Sequence, residues 1–248
     1  MHVEFRLHET IGTIVLSNPP YNLVGDPCIF DLSTLVQFLA QPELRGVIVR
    51  GAGRHFSAGA DPAVLAGAGL TDPELADALT RAKGLLDLLA FAPVPVVAMI
   101  RGSCLGAGLE LALACHFRIA STNASVGFPE ADWGIIPGLG GTVATAEVLS
   151  RAQAMDLMLS GRIISGLEAH EMGLVHRVVP TPELEGETHR FLDRLVCRRP
   201  PYLVRAIMEA VHNSRRLSRH EALRAEGELF SQVARQARTQ RGLPRGQG

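Results

Sequence analysis

The sequence predicts an α/β fold, on three observations. Short apolar runs at 11–17, 46–50 and 94–100 have the length and β-branched content of buried strands. Helical patterns at 27–40 and 73–89 separate them, an alternation that favours parallel strands with helices packed against the sheet. From Pro182 onward the pattern is helical, so a strand-bearing part occupies residues 1–198 and a helical region 199–248, with Arg199-Pro200-Pro201 as the break.

The elements follow in order. IGTIVLS at 11–17 is the first strand, closed by the turn residues Asn18-Pro19-Pro20, and the helix expected at 27–40 leads to GVIVR, which stops at Gly51-Ala52-Gly53. Residues 61–72 are rich in Gly and Ala with little to fix them, so a mobile loop bordering a site is expected before the helix at 73–89. VPVVAMI at 94–100 is the third strand; Pro95 within it suits an edge or a first residue. Residues 117–120 make a short fourth strand, and helices follow at 143–149 and 152–159, the latter stopped by Ser160-Gly161. The last helices are expected at 183–196, 202–213 and 218–238. In the final one Leu223, Phe230 and Val233 fall near one side, which suits a helix lying on the surface of a second subunit. Residues 242–248 read as a disordered tail.

Composition excludes several classes. With 248 residues, 47% of them hydrophobic, the chain can bury a sizeable core, and 24 basic against 25 acidic residues set up no field to recruit nucleic acid or a membrane surface. Cys28, Cys104, Cys115 and Cys197 lie far apart with no CxxC pair, against a zinc knuckle or redox dithiol and in keeping with a reducing compartment. The N-terminus has no basic segment followed by an apolar run, and no stretch reaches the roughly 18 apolar residues of a membrane span, so a cytoplasmic protein is expected. HEMGLVH spaces His170 and His176 by six where one helical face needs four, so no metal site is expected. The P-loop lysine and the GxSxG elbow are absent.

The stretch at 102–120, GSCLGAGLELALACHFRIA, organises the rest. A loop of small residues runs into an all-apolar segment that keeps one carboxylate, Glu110. Free amides at the start of such a helix suit developing negative charge, and Gly106, Ala107 and Gly108 allow close approach to the backbone. The carboxylate is either held structurally, by an Arg or backbone amides, or kept for chemistry.

Three segments, HFSAGAD at 55–61, GAGLE at 106–110 and FPE at 128–130 followed by GIIPGLGGT at 134–142, together resemble the crotonase superfamily, the enoyl-CoA hydratase/isomerase family. The resemblance implies a crotonase-like spiral of ββα turns with a helical C-terminal region used for assembly as a homotrimer or hexamer. It also implies an acyl thioester substrate, on coenzyme A or an acyl carrier protein, with no further cofactor. By position in the motifs, the backbone amides of Ala60 and Ala107 form the oxyanion hole, Glu110 activates water for attack at C3, and Glu130 supplies the proton to C2. Ala58, Asp61, Gly108, Trp133, Pro137 and Gly138 are the accompanying substrate-binding positions. Alanine at 107 serves because the donor is backbone, provided its φ is negative. Keeping both carboxylates favours an enoyl-CoA hydratase; a double-bond isomerase, another reaction on a carrier-bound thioester and an inactive binding subunit are the alternatives. Two departures stand out: Asp61 is followed by Pro62-Ala63-Val64 where many relatives carry a basic residue, and the chain stops soon after Arg238, short of the family's last helix. Weak contacts to the adenine nucleotide are therefore expected.

Overall fold

In the computed structural model, residues 2–25, 29–62 and 73–240 are described, and they divide into two compact units, Met1–Asp193 and Arg194–Gly248. Among the described residues the first unit holds nine strands: β1 (His2–His8), β2 (Ile11–Ser17), β3 (Gly46–Gly51), β4 (Val96–Ile100), β5 (Ser103–Leu105), β6 (Phe117–Ser121), β7 (Ser125–Gly127), β8 (Ile163–Ser165) and β9 (Arg177–Val179). Its helices are α1 (Leu32–Leu39), α2 (Pro73–Ala90), α3 (Ala107–Ala114), α4 (Gly141–Val148), α5 (Arg151–Ser160), α6 (Gly166–Glu171) and α7 (Leu184–Val196), the last running into the second unit.

A six-stranded sheet in the order β1-β2-β3-β4-β6-β9 is parallel except for the β1–β2 hairpin, and β5, β7 and β8 form a smaller sheet. Two turns of the chain set one strand in the larger sheet, the next in the smaller, and then a helix: β4, β5 and α3, and β6, β7 and α4. Strand alternation divides the core between two faces. Val47 and Val49 of β3, and Val96, Ala98 and Ile100 of β4, enter the main core with α3, whereas Ile48, Val97 and Ile119 face the other way onto Leu184 and Leu192 of α7. Gly46 is required there: a Cβ on it would stand 2.7 Å from Leu192.

Several expectations shift. The helix expected at 27–40 begins at Leu32, because the Asp31 side chain accepts the Thr34 amide at 2.8 Å and caps it, while Ile29 and Phe30 enter the core as irregular chain. Pro95 stands just before β4, in the middle of the sheet, so its missing N–H falls outside the strand while its carbonyl still accepts from Val47 at 2.9 Å. β1 and the three-residue strands β5, β7, β8 and β9 had no sequence signal. Residues 63–72 of the expected loop, Cys28 and the tail lie outside the described residues.

The second unit contains α8 (Pro201–Arg216) and α9 (Arg219–Gln240), which pack on each other. No residue of α9 is buried, and Leu223 and Phe230 are exposed at 54% and 73%. Among the described residues no helix is long and apolar enough to cross a membrane.

Candidate active site

Three junctions of the chain converge on one chamber of about 500 Å³. The first is HFSAGA after β3. Asn22 holds it from the turn after β2: buried at φ +51°, its Nδ2 donates to the carbonyls of Ala52 (2.9 Å) and His55 (2.8 Å), and the Ser57 hydroxyl donates back to the Asn22 carbonyl at 2.8 Å. Asp61 then donates its amide to Val24, also at 2.9 Å, so the chain is fixed on both sides of Ala60.

The second junction is the start of α3. Gly106, at φ +49° and ψ −123°, is a backbone conformation that side chains exclude, and it turns the chain so that the Ala107 amide opens the helix. A Cβ on Gly59 would lie 3.8 Å from the Ala107 nitrogen, which puts the residue before Ala60 beside Ala107. Both Ala60 and Ala107 line the chamber, and neither amide has an acceptor among the described residues. Ala107 is not among the positive-φ residues, so the condition on its backbone is met. Two free N–H groups beside each other, one at a helix N-terminus, are suited to an oxygen that gains negative charge.

Glu110 sits one turn into α3 and is 4% exposed. Its Oε1 accepts the backbone amides of Leu139 (2.6 Å) and Gly141 (2.7 Å), the latter opening α4. Of the holders the sequence allowed, backbone amides take one oxygen, and the other takes no part in those bonds. Burial pushes the carboxyl up to about 7 against the pull of these two amides; the neighbouring Glu130 adds to the rise and Lys83 opposes it. Gly141 must lack a side chain, since a Cβ would stand 2.9 Å from both Glu110 Cγ and Phe128 Cε1.

Glu130, in the 3₁₀ turn Pro129–Trp133, reaches the chamber from the third junction. Its Oε1 lies 2.8 Å from where a Gly106 Cβ would be, and its Oε2 is buried without a partner among the described residues. Burial raises its pKa. Two carboxyls whose charged forms are both disfavoured thus face one cavity whose other described walls, Tyr21 apart, are apolar, among them Leu75, Leu79, Ile135 and Leu139.

Of the remaining sequence-predicted positions, Ala58, Trp133 and Gly138 line this chamber. Pro137 lines a neighbouring one, and Asp61 and Gly108 line neither. Gly108 instead packs against the HFSAGA segment, where a Cβ would meet the Ser57 carbonyl at 2.6 Å. Sequence reasoning missed the amides of Leu139 and Gly141, although both belong to the GLGGT segment it singled out, and it missed Asn22, whose only signal was a place in a turn. His170 and His176 each meet backbone, at Val175 O (2.9 Å) and Arg118 N (3.1 Å).

Residues 6–245 match the family model described as enoyl-CoA hydratase/isomerase. A probable enoyl-CoA hydratase of Bacillus subtilis is 32% identical over 233 residues, 93% of this chain and 90% of that protein. An enoyl-CoA hydratase subunit from Geobacillus kaustophilus has the same fold, with a TM-score of 0.85 and 30% identity over 99% of this chain and 98% of that one. A hydratase-like protein from Thermobifida fusca, solved in complex with CoA, gives 0.82 and 27% over 96% and 94%. The chain also matches longer multifunctional proteins, spanning 31% of the length of one of them.

Proposed function

This chain belongs to the enoyl-CoA hydratase/isomerase family, and from that premise we propose that it is an enoyl-CoA hydratase, adding water reversibly across the C2=C3 bond of a 2-enoyl thioester to give a 3-hydroxyacyl thioester. One observation carries the reading: a buried carboxyl tethered through a single oxygen and a half-buried one whose buried Oε2 is partnerless among the described residues share a chamber with two unused backbone amides.

In the proposed reaction the thioester carbonyl oxygen accepts the Ala60 and Ala107 amides, which draws electron density from C3. Glu110, fixed at Oε1 by Leu139 and Gly141, offers its other oxygen to a water molecule and takes its proton as the oxygen attacks C3. The resulting enolate-like charge rests on the thioester oxygen, where each preorganised amide is worth about 3 to 4 kcal/mol if well-studied oxyanion holes are a guide. Glu130, whose pKa burial raises, acts as the acid and delivers its proton to C2 on the same face, so addition is syn. Glu110 and Glu130 then hold each other's former protonation states, and exchange with solvent resets them. The family match and the CoA-bound neighbour support an acyl-CoA substrate, for which coenzyme A is part of the substrate. The exposed apolar residues of α9 support assembly into a homotrimer or hexamer.

The test is purified protein with crotonyl-CoA, followed at the enoyl absorbance. Reversible loss of absorbance, with 3-hydroxybutyryl-CoA as product, is expected; an unchanged spectrum with crotonyl-CoA and longer 2-enoyl-CoA esters refutes the reading. Pantetheine esters in the same assay distinguish a CoA ester from a carrier-bound one: similar kcat/KM for both points to the carrier, and a loss above about 100-fold to CoA.

A further inference from the structure

We propose that Arg118, on β6, is a positioning residue for the reaction: it anchors the far end of α3 and, through that helix, directs positive potential onto the thioester oxygen at Ala107. The inference rests on the hydratase reading and deepens it, since Arg118 never meets the substrate. Arg118 is 3% exposed. Its Nε donates to the Leu174 carbonyl at 2.7 Å, and one terminal nitrogen donates to the carbonyls of Cys115 (2.9 Å) and Ala112 (3.3 Å). Ala112 lies in the last turn of α3, Cys115 is its C-cap, and Leu174 belongs to the connection from α6 to β9. No ion pair involves the guanidinium among the described residues. The titratable groups around it are neutral: burial pushes the Cys115 thiol up to about 12 and the Cys104 thiol upward too, and holds His176 down to about 4. Burial lowers Arg118 itself only to about 10, so it stays charged at neutral pH.

A buried charge without a counter-charge is costly, and an apolar side chain would fill such a position at less expense to stability. Its place explains why the charge is kept. The N-terminal end of α3 has no side-chain cap, because the Ala107 amide is left open to the chamber. The bonds from Arg118 hold the opposite end, the one the substrate does not. The guanidinium also neutralises the negative pole of α3, so the positive pole at Ala107 is no longer offset. Eight helical residues separate the two ends by about 12 Å. At that distance, with an effective dielectric constant of about 20, a unit charge acting on a developing negative charge changes a rate by up to about tenfold. The thioester oxygen carries little charge before reaction and much in the enolate-like state, so the effect falls on kcat and spares KM.

The experiment compares the wild type with Arg118→Gln, which keeps donors for the carbonyls without the charge, and Arg118→Lys, which keeps the charge without the forked geometry. Arg118→Met, apolar and of similar reach, serves as a second neutral variant. Two quantities are read besides the melting temperature: kcat and KM for crotonyl-CoA, and the infrared carbonyl band of bound butyryl-CoA, a saturated ester that cannot be hydrated. Both neutral variants should lower kcat about three- to tenfold with KM within about twofold, and should move the bound carbonyl band to higher frequency, towards that of the free ester. Arg118→Lys should stay nearer the wild type in kcat and in the band, although it also melts lower. A neutral variant with wild-type kcat and band, however far its melting temperature falls, makes Arg118 a purely structural residue and overturns the proposal. So does an Arg118→Lys variant as slow as Arg118→Gln, or a loss confined to KM. Failure of the wild type to hydrate any 2-enoyl-CoA ester overturns the hydratase reading instead, while the butyryl-CoA band, which needs no turnover, still tests Arg118.

Discussion

Replacing Glu110 by Gln should make the protein more stable at neutral and alkaline pH even as it removes activity. The carboxyl is 4% exposed and its pKa is raised from 4.5 to about 7, with burial as the main cause. A raised carboxyl pKa means that the folded state resists ionisation: the contribution to stability is complete below about pH 4.5, declines as pH rises, and is lost once pH passes about 7. At about 1.4 kcal/mol per pH unit the shift amounts to about 3 kcal/mol. Gln keeps an acceptor oxygen for the Leu139 and Gly141 amides without the buried charge, so it escapes this cost. Near pH 5 the two proteins should melt close together. Around pH 8 the variant should melt about 6 to 12 °C higher, given the roughly 2 to 4 °C per kcal/mol of a domain this size. Paired thermal melts by circular dichroism across this range read the difference directly. A variant that is less stable at pH 8, or a gap independent of pH, would refute the reasoning, because it would mean that the two amides already compensate the buried charge.

Other consequences concern the same residues. As a general base Glu110 works ionised, so kcat/KM for hydration should fall about tenfold per unit below pH 7, and that acid limb should vanish in Glu110→Gln, measured over the residual activity. Gly106→Ala places a Cβ 2.8 Å from Glu130 Oε1 on a backbone at φ +49°; it should lower both melting temperature and kcat, whereas Gly84→Ala in α2, with nothing within 4 Å, should stabilise by about 0.5 to 1 kcal/mol. In a crystal of the acyl-CoA complex the thioester oxygen should lie about 2.7 to 3.1 Å from both the Ala60 and Ala107 nitrogens; an oxygen held by side chains or facing solvent removes the oxyanion assignment.

The parts of this site that are local in sequence were legible there. Glu110 stood out because an all-apolar helix that keeps a carboxylate must account for it, and Ala107 lay at a helix start with free amides, its role as donor coming from the resemblance of its motif. What holds Glu110 was not legible: Leu139 and Gly141 are about thirty residues away, and only the fold brings their amides to its Oε1. Asn22 shows the same limit, since a turn asparagine carries no mark that its amide will hold carbonyls thirty residues further on. β1 escaped because an edge strand with one face in water carries charged and polar residues, and its HVEFRLH has only Val3 and Phe5 against the core. The start of α1 was misplaced because Ile29 and Phe30 satisfy an apolar helical pattern while packing as irregular chain; the better signal was the cap, Asp31 three residues before Thr34. Gly108 was read as room for a ligand, and the room is used by Ser57.

The central claim is that Glu110 and Glu130 divide the proton transfers of hydration, and turnover of a 2-enoyl-CoA ester by wild type, Glu110→Gln and Glu130→Gln, with thioester affinity measured alongside, tests it most directly. Each variant should lose at least about 10²-fold in kcat while its dissociation constant for the ester stays within a few-fold, since a general acid or base contributes roughly 10² to 10⁴ to the rate and little to binding. Near-normal turnover in either variant, or a loss that appears only in affinity, would contradict the account.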